Sequence, residues 1–343
     1  MQVQKEELSK SKLFRISRNI LSAREVGISI VMAFIIVILS IIAPRFLTVT
    51  NLLNIGRQTA LTGIMAAGMG LIMIAGNIDL SIGSIYGLSA LISAMVLDST
   101  RSTVLAVLLG LLVGVVVGLL NGFLTVKINM PSFVATFGMM YICRGIALIL
   151  TRGYPITLIT HGVTPDTHPF FFFLGQGQLF GKIPMQFSFL VVVMIIIGYV
   201  LHRTVGGLHI FAVGGSEKAS FASGINVRGV RLKTFVISGV CASLAGILNL
   251  SFIGSILPTA GQGLEFQVFA SAIIGGTSMS GGEGTIIGIF IGAIILGIIN
   301  NGLVLLGVDP FWQVLIIGVI TISAVAYDML TWQKRQQRRI AAA

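Results

Sequence analysis

The chain has 343 residues, 55% hydrophobic and only 10% charged, with a mean hydropathy of +1.00. Soluble domains carry about 25% charged residues, so this balance excludes one and indicates an all-α, polytopic integral membrane protein. The net charge of +11 does not signal nucleic acid, because the basic residues sit in the termini and in loops between apolar runs.

In chain order, residues 1–25 form a polar, basic segment expected to be cytoplasmic. The apolar run Val26–Ala43 lacks a small-residue cleavage site before Pro44 and reads as a retained first span. Runs long enough to cross ~30 Å of hydrocarbon follow near 58–75, 82–98, 103–126, 132–151, 187–202, 233–253, 264–280, 284–305 and 311–329. Residues 26–330 are thus one transmembrane domain of about ten helices, and 331–343 a basic cytoplasmic tail. The eighth span is interrupted by Glu265, Gln267 and the glycines around 275–284, which leaves open whether it crosses fully. With the N-terminus inside, sixteen Lys and Arg residues lie on inner segments against five outside (Arg45, Arg57, Arg101, Arg152, Lys182), with Arg144 left within a span. That bias places both termini and the polar loop 203–233 in the cytoplasm.

Forty-two glycines and eight prolines suit closely packed, locally broken helices. Cys143 and Cys241 each lie in an apolar run and supply neither a disulfide framework nor metal spacing. The first polar feature inside the apolar domain is GNIDLSIGS, residues 76–84. An aspartate at mid-bilayer costs roughly 2.5–3.5 kcal/mol on insertion scales, so Asp79 is expected paired, wet or at a break between helices. Gly76, Asn77, Ser81 and Gly83 suit such a break. The alternative is that Asp79 simply caps the third span at the cytoplasmic face.

GLLVGVVVGLLNGFLTVKINMPSF from Gly110 is echoed by GIFIGAIILGIINNGLVLLGVDPF from Gly288. Under the ten-span topology the two copies enter from opposite sides, as in the inverted repeats that frame substrate paths in transporters. Between spans, the external segment 152–186 carries His161, His168 and the run Phe170–Phe173, which reads as an interfacial anchor, a packed short helix or a docking surface. Trp312 and Trp332 suit interface positions.

In the cytoplasmic loop, Ser216 can cap a short helix and Gly224 can end it. That leaves Glu217 to Ser223, about 10 Å of helix at ~1.5 Å per residue, followed by Arg228, Arg231 and Lys233. Such a helix either stands out from the membrane surface to meet a partner or is an ordinary loop.

The second glycine cluster, IIGGTSMSGGEGT from Ile273, is no phosphate loop: Gly276 and Gly281 are spaced as one requires, but Gly282 stands where the lysine must be. A helix break with Thr277 and Ser278 facing a path, or close helix packing, remain. Glu265 reads as an external gate, a substrate hydrogen-bonder or an interfacial acid. The histidines at 161, 168, 202 and 209 have no HExxH or GxSxG around them, so no catalytic residues are expected. Intramembrane acid–base pairs and ATPase motifs are missing too, so the energy for any transport must come from another chain.

Several stretches in order, GNIDLSIGS, PSFVATFGMMYICRG (131–145), FAVGGSEKASFASGINV (211–227), ISGVCASLAGIL (237–248), AIIGGTSMSGGEGT (272–285) and NNGLVLLGV (300–308), resemble the permeases of bacterial ATP-binding-cassette sugar importers of the ribose type. The resemblance covers the chain from about Pro44 to Asp328. It implies alternating-access import of a monosaccharide, a ribose-like pentose or related sugar, across the inner membrane. A sugar-derived signal, a hexose or a polyol are the alternatives within the family; a stand-alone carrier or channel, or a membrane-embedded enzyme, lie outside it. The resemblance further implies a second permease copy, identical or closely related, a cytoplasmic ATP-binding subunit that holds ATP and magnesium, and a periplasmic or lipid-anchored sugar-binding protein. This chain itself would hold no cofactor or metal and would not be an enzyme.

Lys218-Ala219-Ser220 with Gly224 falls where importer permeases carry a Glu-Ala-Ala…Gly coupling motif, with lysine for the glutamate and serine for the second alanine. The implied ATPase-coupling set is Gly214, Gly215, Glu217, Lys218, Ala219, Ser220, Gly224 and Ile225. Asn77 and Glu283 are smaller departures from the family pattern. For the translocation path the expected residues are Asn77, Asp79, Ser81, Glu265, Thr277, Ser278, Asn300 and Asn301.

Overall fold

The computed structural model describes residues 23–341, so the basic residues before Ala23 lie outside the described part, as do the side chains of the C-terminal Lys and Arg residues. Thirteen α-helices are described. The long ones are α1 (Ala23–Ile42), α2 (Val49–Ile74), α3 (Ile82–Thr100), α4 (Thr103–Val126) and α5 (Ser132–Thr151). They continue with α7 (Met185–Arg203), α10 (Val227–Ile253), α12 (Ile286–Leu305) and α13 (Pro310–Ala341). These nine, among the described residues, are long and apolar enough to cross a membrane. The short helices are α6 (Pro169–Gln176), α8 (Val205–Gly215), α9 (Glu217–Ala222) and α11 (Leu264–Ile274).

The bundle has two ends. One, here the upper face, carries two small antiparallel pairs: β1 (Ile156–Thr157) with β4 (Ser255–Ile256), and β2 (Gln178–Leu179) with β3 (Ile183–Pro184). The other, the lower face, carries α8 and α9. Glu25 at the start of α1 accepts a hydrogen bond from Thr285 Oγ1 at 2.5 Å, and Asp328 near the end of the bilayer-length part of α13 accepts one from the Met279 amide at 3.2 Å. Both ends of the membrane domain therefore lie on the lower face.

The expected eighth span departs from a helix. Only Leu264–Ile274 is helical, 11 residues or about 16 Å at ~1.5 Å per residue, roughly half the hydrocarbon thickness. The upper half of that crossing, from β4 to Gly263, is irregular, with Gly261 and Gly263 at φ +82° and +83°. These left-handed conformations and Pro258 are incompatible with continuous helix, and two of the freed carbonyls, those of Pro258 and Ala260, are met by Arg144 Nη1. Nine helical crossings and this broken one make ten passes.

Helix α10 forms the centre. Its Gly239 packs backbone to backbone against Gly114 of α4, Phe235 and Val236 sit against Gly118, and Gly246 lies on the Tyr86 carbonyl of α3. Small residues let helices approach this closely where no hydrophobic force drives them together. Helix α2 contributes an unbroken buried run from Gly63 to Ala75. By contrast, Val104, Leu108, Leu112, Val116 and Leu119 of α4 are exposed at three- to four-residue spacing, a stripe suited to lipid. The two glycine-rich stretches that echo each other in sequence lie in α4 and α12.

Of the phenylalanine run, Phe171 and Phe172 are buried and Phe170 and Phe173 exposed, all within α6. Helix α6 is a packed short helix: Ser251 Oγ of α10 donates to the Phe171 carbonyl at 2.5 Å, and Gly175 abuts the Phe252 backbone. Arg57, placed in an outer loop by the span boundaries above, lies inside α2, which begins at Val49 behind the Thr48 cap. Its guanidinium sits 4.8 Å above the Phe252 ring.

Candidate functional site

Helix α9 is built as the local sequence anticipates. Ser216 Oγ accepts from the Ala219 amide at 3.3 Å, and Gly224 follows the helix at φ +79°. Ser220 is its one buried residue; Glu217, Lys218, Ala219 and Phe221 project, with Phe221 76% exposed. Arg231 Nη2 of α10 donates to Glu217 Oε2 at 2.9 Å. Two residues after Gly224, the Asn226 side chain caps α10 by accepting from the Gly229 amide at 2.9 Å. Helix α9 is thus joined to the central helix by four residues, Ser223–Asn226. Beside it runs a cleft of about 810 Å³ whose wall includes Lys218, Arg228 and Arg231 with Glu217, Asn129 and the exposed Phe221.

The tertiary structure joins three glycine clusters that lie far apart in sequence. Gly214, at the end of α8, sits against the Ile74 carbonyl and the Gly282 amide. The Gly282 amide donates to that same Ile74 carbonyl at 2.9 Å. Gly281 packs on Gly76 and Gly214, and Gly282 on Gly215, with Gly76, Gly281 and Gly282 all at positive φ. At this junction the end of α2, the loop after α11 and the lead-in to α9 touch through backbone alone. There is no room for a Cβ at Gly214, Gly281 or Gly282.

The GNIDLS break is next to the junction and hydrogen-bonded to two helices, with Asp79 Oδ2 left buried and unpartnered. Asp79 is completely buried; its Oδ1 accepts from the Ser81 amide at 2.8 Å and from Ser81 Oγ at 2.6 Å. Asn121 Nδ2 of α4 donates to Ser81 Oγ at 2.8 Å, completing a three-residue relay. The loosened backbone is satisfied from α5: Ser132 Oγ accepts from the Ile78 amide at 3.2 Å and Thr136 Oγ1 from the Leu80 amide at 3.1 Å. Ser81, not Asp79, occupies the cap position of α3.

The other anticipated path residues are dispersed. Asn77 is buried, and its Nδ2 reaches the Ala75 carbonyl at 3.3 Å. Thr277 and Ser278 are buried in the turn after α11, with Thr277 Oγ1 unpartnered. Glu265 Oε1 accepts from the Gly263 amide at 3.2 Å at the start of α11, while its Oε2 is buried without a hydrogen bond. Asn301 forms a reciprocal amide pair with Asn51, 2.9 Å each way. Asn300, on the neighbouring face of α12, borders a separate cavity. Among the described residues no three His, Cys, Asp or Glu side chains gather as metal ligands.

A family model described as the permease component of the branched-chain amino acid transport system matches residues 51–325, from Asn51 of the amide pair to the core of α13. The chain belongs to this permease family. It is 38% identical over 294 residues to the ribose import permease protein RbsC of Bacillus subtilis, covering 86% of this chain and 89% of the relative. It is likewise 38% identical over 299 residues to RbsC of Escherichia coli K12, covering 87% and 92%, and 33% identical over 302 residues to the L-arabinose transport system permease protein AraH of that strain, covering 88% and 89%. No solved structure matches the chain.

Two features of the permease escaped sequence reasoning. Arg144 has its partners on the broken crossing: Nη1 donates to the Ala260 carbonyl at 2.7 Å and to Pro258 at 3.3 Å. An arginine inside an apolar span is itself the signal that carbonyls freed from a helix lie nearby. The Asn51–Asn301 pair carries no such signal, because Asn51 reads as a loop residue until α2 is seen to start at Val49.

Proposed function

We propose that this permease is the membrane subunit of an ATP-binding-cassette importer that moves a monosaccharide, a ribose-like pentose or related sugar, across the bacterial inner membrane by alternating access. The lower face is cytoplasmic on this reading, since it bears α9 with Lys218, Arg228, Arg231 and Lys233. A cytoplasmic ATP-binding subunit docks there and holds the ATP and magnesium; this chain does no hydrolysis. A periplasmic or lipid-anchored sugar-binding protein docks on the upper face, and a second permease copy completes the pathway.

The observation that carries the reading is the glycine junction. Helix α9 is exposed, capped and tied to α10 by Ser223–Asn226. Through Gly214 and Gly215 it also bears on the end of α2 and on the turn after α11. A push on α9 therefore reaches the central helix and both flanks of the broken crossing without passing through flexible side chains. Packed interfaces of this kind are bistable more than elastic, which suits two alternating states.

The test is reconstitution in proteoliposomes with the ATP-binding subunit, with and without sugar-loaded binding protein, measuring labelled-sugar flux and ATP hydrolysis. A variant with Glu217–Ser223 replaced by a Gly/Ser linker is expected to lose both assembly and flux. Sugar movement by the permease alone, or normal flux in the linker variant, would overturn the reading.

A further inference from the structure

Of the residues anticipated for the path, Asp79 and Ser81 bond each other and Asn301 bonds Asn51, whereas Asn300 belongs to a different set of polar groups without protein partners. Between α2, α3, α11 and α12 lies a cavity of about 260 Å³, just below the ~300–1,000 Å³ of drug-sized pockets. Its polar lining is Gln58 and Thr62 of α2, Tyr86 of α3, Gln267 of α11 and Asn300 of α12. Spacing explains the convergence. Gln58 and Thr62 are four residues apart, as are Leu296 and Asn300, and Leu264 and Gln267 are three apart, so each helix turns one face inward.

Among the described residues, none of these five side chains forms a hydrogen bond with the protein, and Asn300 Oδ1 is buried without any partner. Elsewhere in the bundle, the buried amides of Asn51 and Asn301 engage each other through both oxygen and nitrogen. Leaving a polar group unpaired inside a protein costs about 1–3 kcal/mol. Of the five, Gln58 is exposed and Thr62, Gln267 and Asn300 are half-buried, so the unmet demand is sharpest at Asn300 Oδ1. Five side chains without protein partners line one space, and the partner for that oxygen comes from outside the chain.

We infer that this cavity is a binding station for a neutral polyhydroxylated molecule of monosaccharide size, at the level where the broken crossing changes from irregular chain to helix. This rests on the importer reading. The chemistry of the lining selects the ligand. Three amides and two hydroxyls each donate and accept, as ring hydroxyls do, and no charged side chain is among the lining residues to favour an ion. Leu61, Leu264 and Leu296 supply apolar contact for the carbon-bound faces of such a ring. Because α11 runs from this cavity to the glycine junction, movement transmitted from α9 would also reshape the station.

The test uses the complete assembly of permease, ATP-binding subunit and loaded binding protein in proteoliposomes. Gln267→Leu and Asn300→Leu keep the bulk and remove the hydrogen-bonding groups. Each is expected to lower sugar flux at least tenfold while ATP hydrolysis stimulated by the loaded binding protein stays within twofold of wild type. Gln267→Asn, which restores an amide, is expected to recover flux to within threefold of wild type. Wild-type flux in both leucine variants would overturn the inference and leave the importer reading intact. So would joint loss of flux and stimulated hydrolysis that Gln267→Asn fails to rescue, since that marks a structural role. Absence of flux in the wild-type assembly would instead count against the importer reading.

Discussion

The Gly282 amide donates to the Ile74 carbonyl at 2.9 Å, closing the end of α2 onto the turn that leaves α11. Gly214 fills the remaining space: a Cβ there would collide with the Ile74 carbonyl and sit 2.6 Å from the Gly282 nitrogen. Because the colliding atoms are backbone, Gly214→Ala must push the segments apart, at a cost of about 1–3 kcal/mol. The expected result is a permease that still inserts but whose ATP hydrolysis and sugar flux are uncoupled. Unchanged flux per ATP would show that the junction transmits nothing.

Phe221 offers a test confined to the lower surface. At 76% exposure it contributes little to the permease's own packing. Phe221→Ser is expected to leave the thermal midpoint of the detergent-solubilised permease unchanged and to weaken co-purification of the ATP-binding subunit at least tenfold. Breaking the neighbouring ion pair by Glu217→Ala should likewise cost the fold little, because an exposed pair contributes roughly 0–1 kcal/mol.

The Asn51–Asn301 pair lends itself to a double-mutant cycle. Asn51→Leu leaves the Asn301 amide buried and unpaired, and Asn301→Leu leaves Asn51 only its bond to the Phe46 carbonyl. A polar group left unpaired in this way costs about 1–3 kcal/mol. With both replaced, the loss should be smaller than the sum of the single losses, and the interaction term about 0.5–3 kcal/mol. Additive effects would mean that the two amides do not depend on each other.

Arg144 holds the irregular half of the broken crossing through the Pro258 and Ala260 carbonyls. Each hydrogen bond from a charged donor contributes about 1.5–3 kcal/mol. Arg144→Met is therefore expected to lower the thermal midpoint and to speed proteolytic cleavage within 257–263. If cleavage at those residues is no faster than in wild type, the arginine does not hold the segment.

Much of this molecule was written in local pattern. Mean hydropathy and the spacing of apolar runs identified the membrane class and most spans, because a backbone in hydrocarbon has few ways to satisfy its hydrogen bonds. The limits of α9 were legible to within a residue, since Ser216 and Gly224 act on the chain immediately beside them. The half-helical eighth crossing was visible as an interruption but not as a shape. Its cause, glycines at positive φ after carbonyls at Pro258 and Ala260 that an arginine of another helix holds, is only partly local.

Tertiary structure alone decided which polar and glycine residues meet. Nothing in GNIDLS, FAVGG or SMSGG says that Gly76, Gly214 and Gly281 share one contact, because each is separated from the others by whole spans and glycine carries no side chain to announce a partner. For the same reason Asp79 and Asn300 looked alike as candidates in sequence. Packing assigned Asp79 to a hydrogen-bond relay with Ser81 and Asn121, and left Asn300 with Gln58 and Gln267 facing an open space. A residue's type sets which bonds it can make; only the arrangement of the helices determines whether those bonds are already taken.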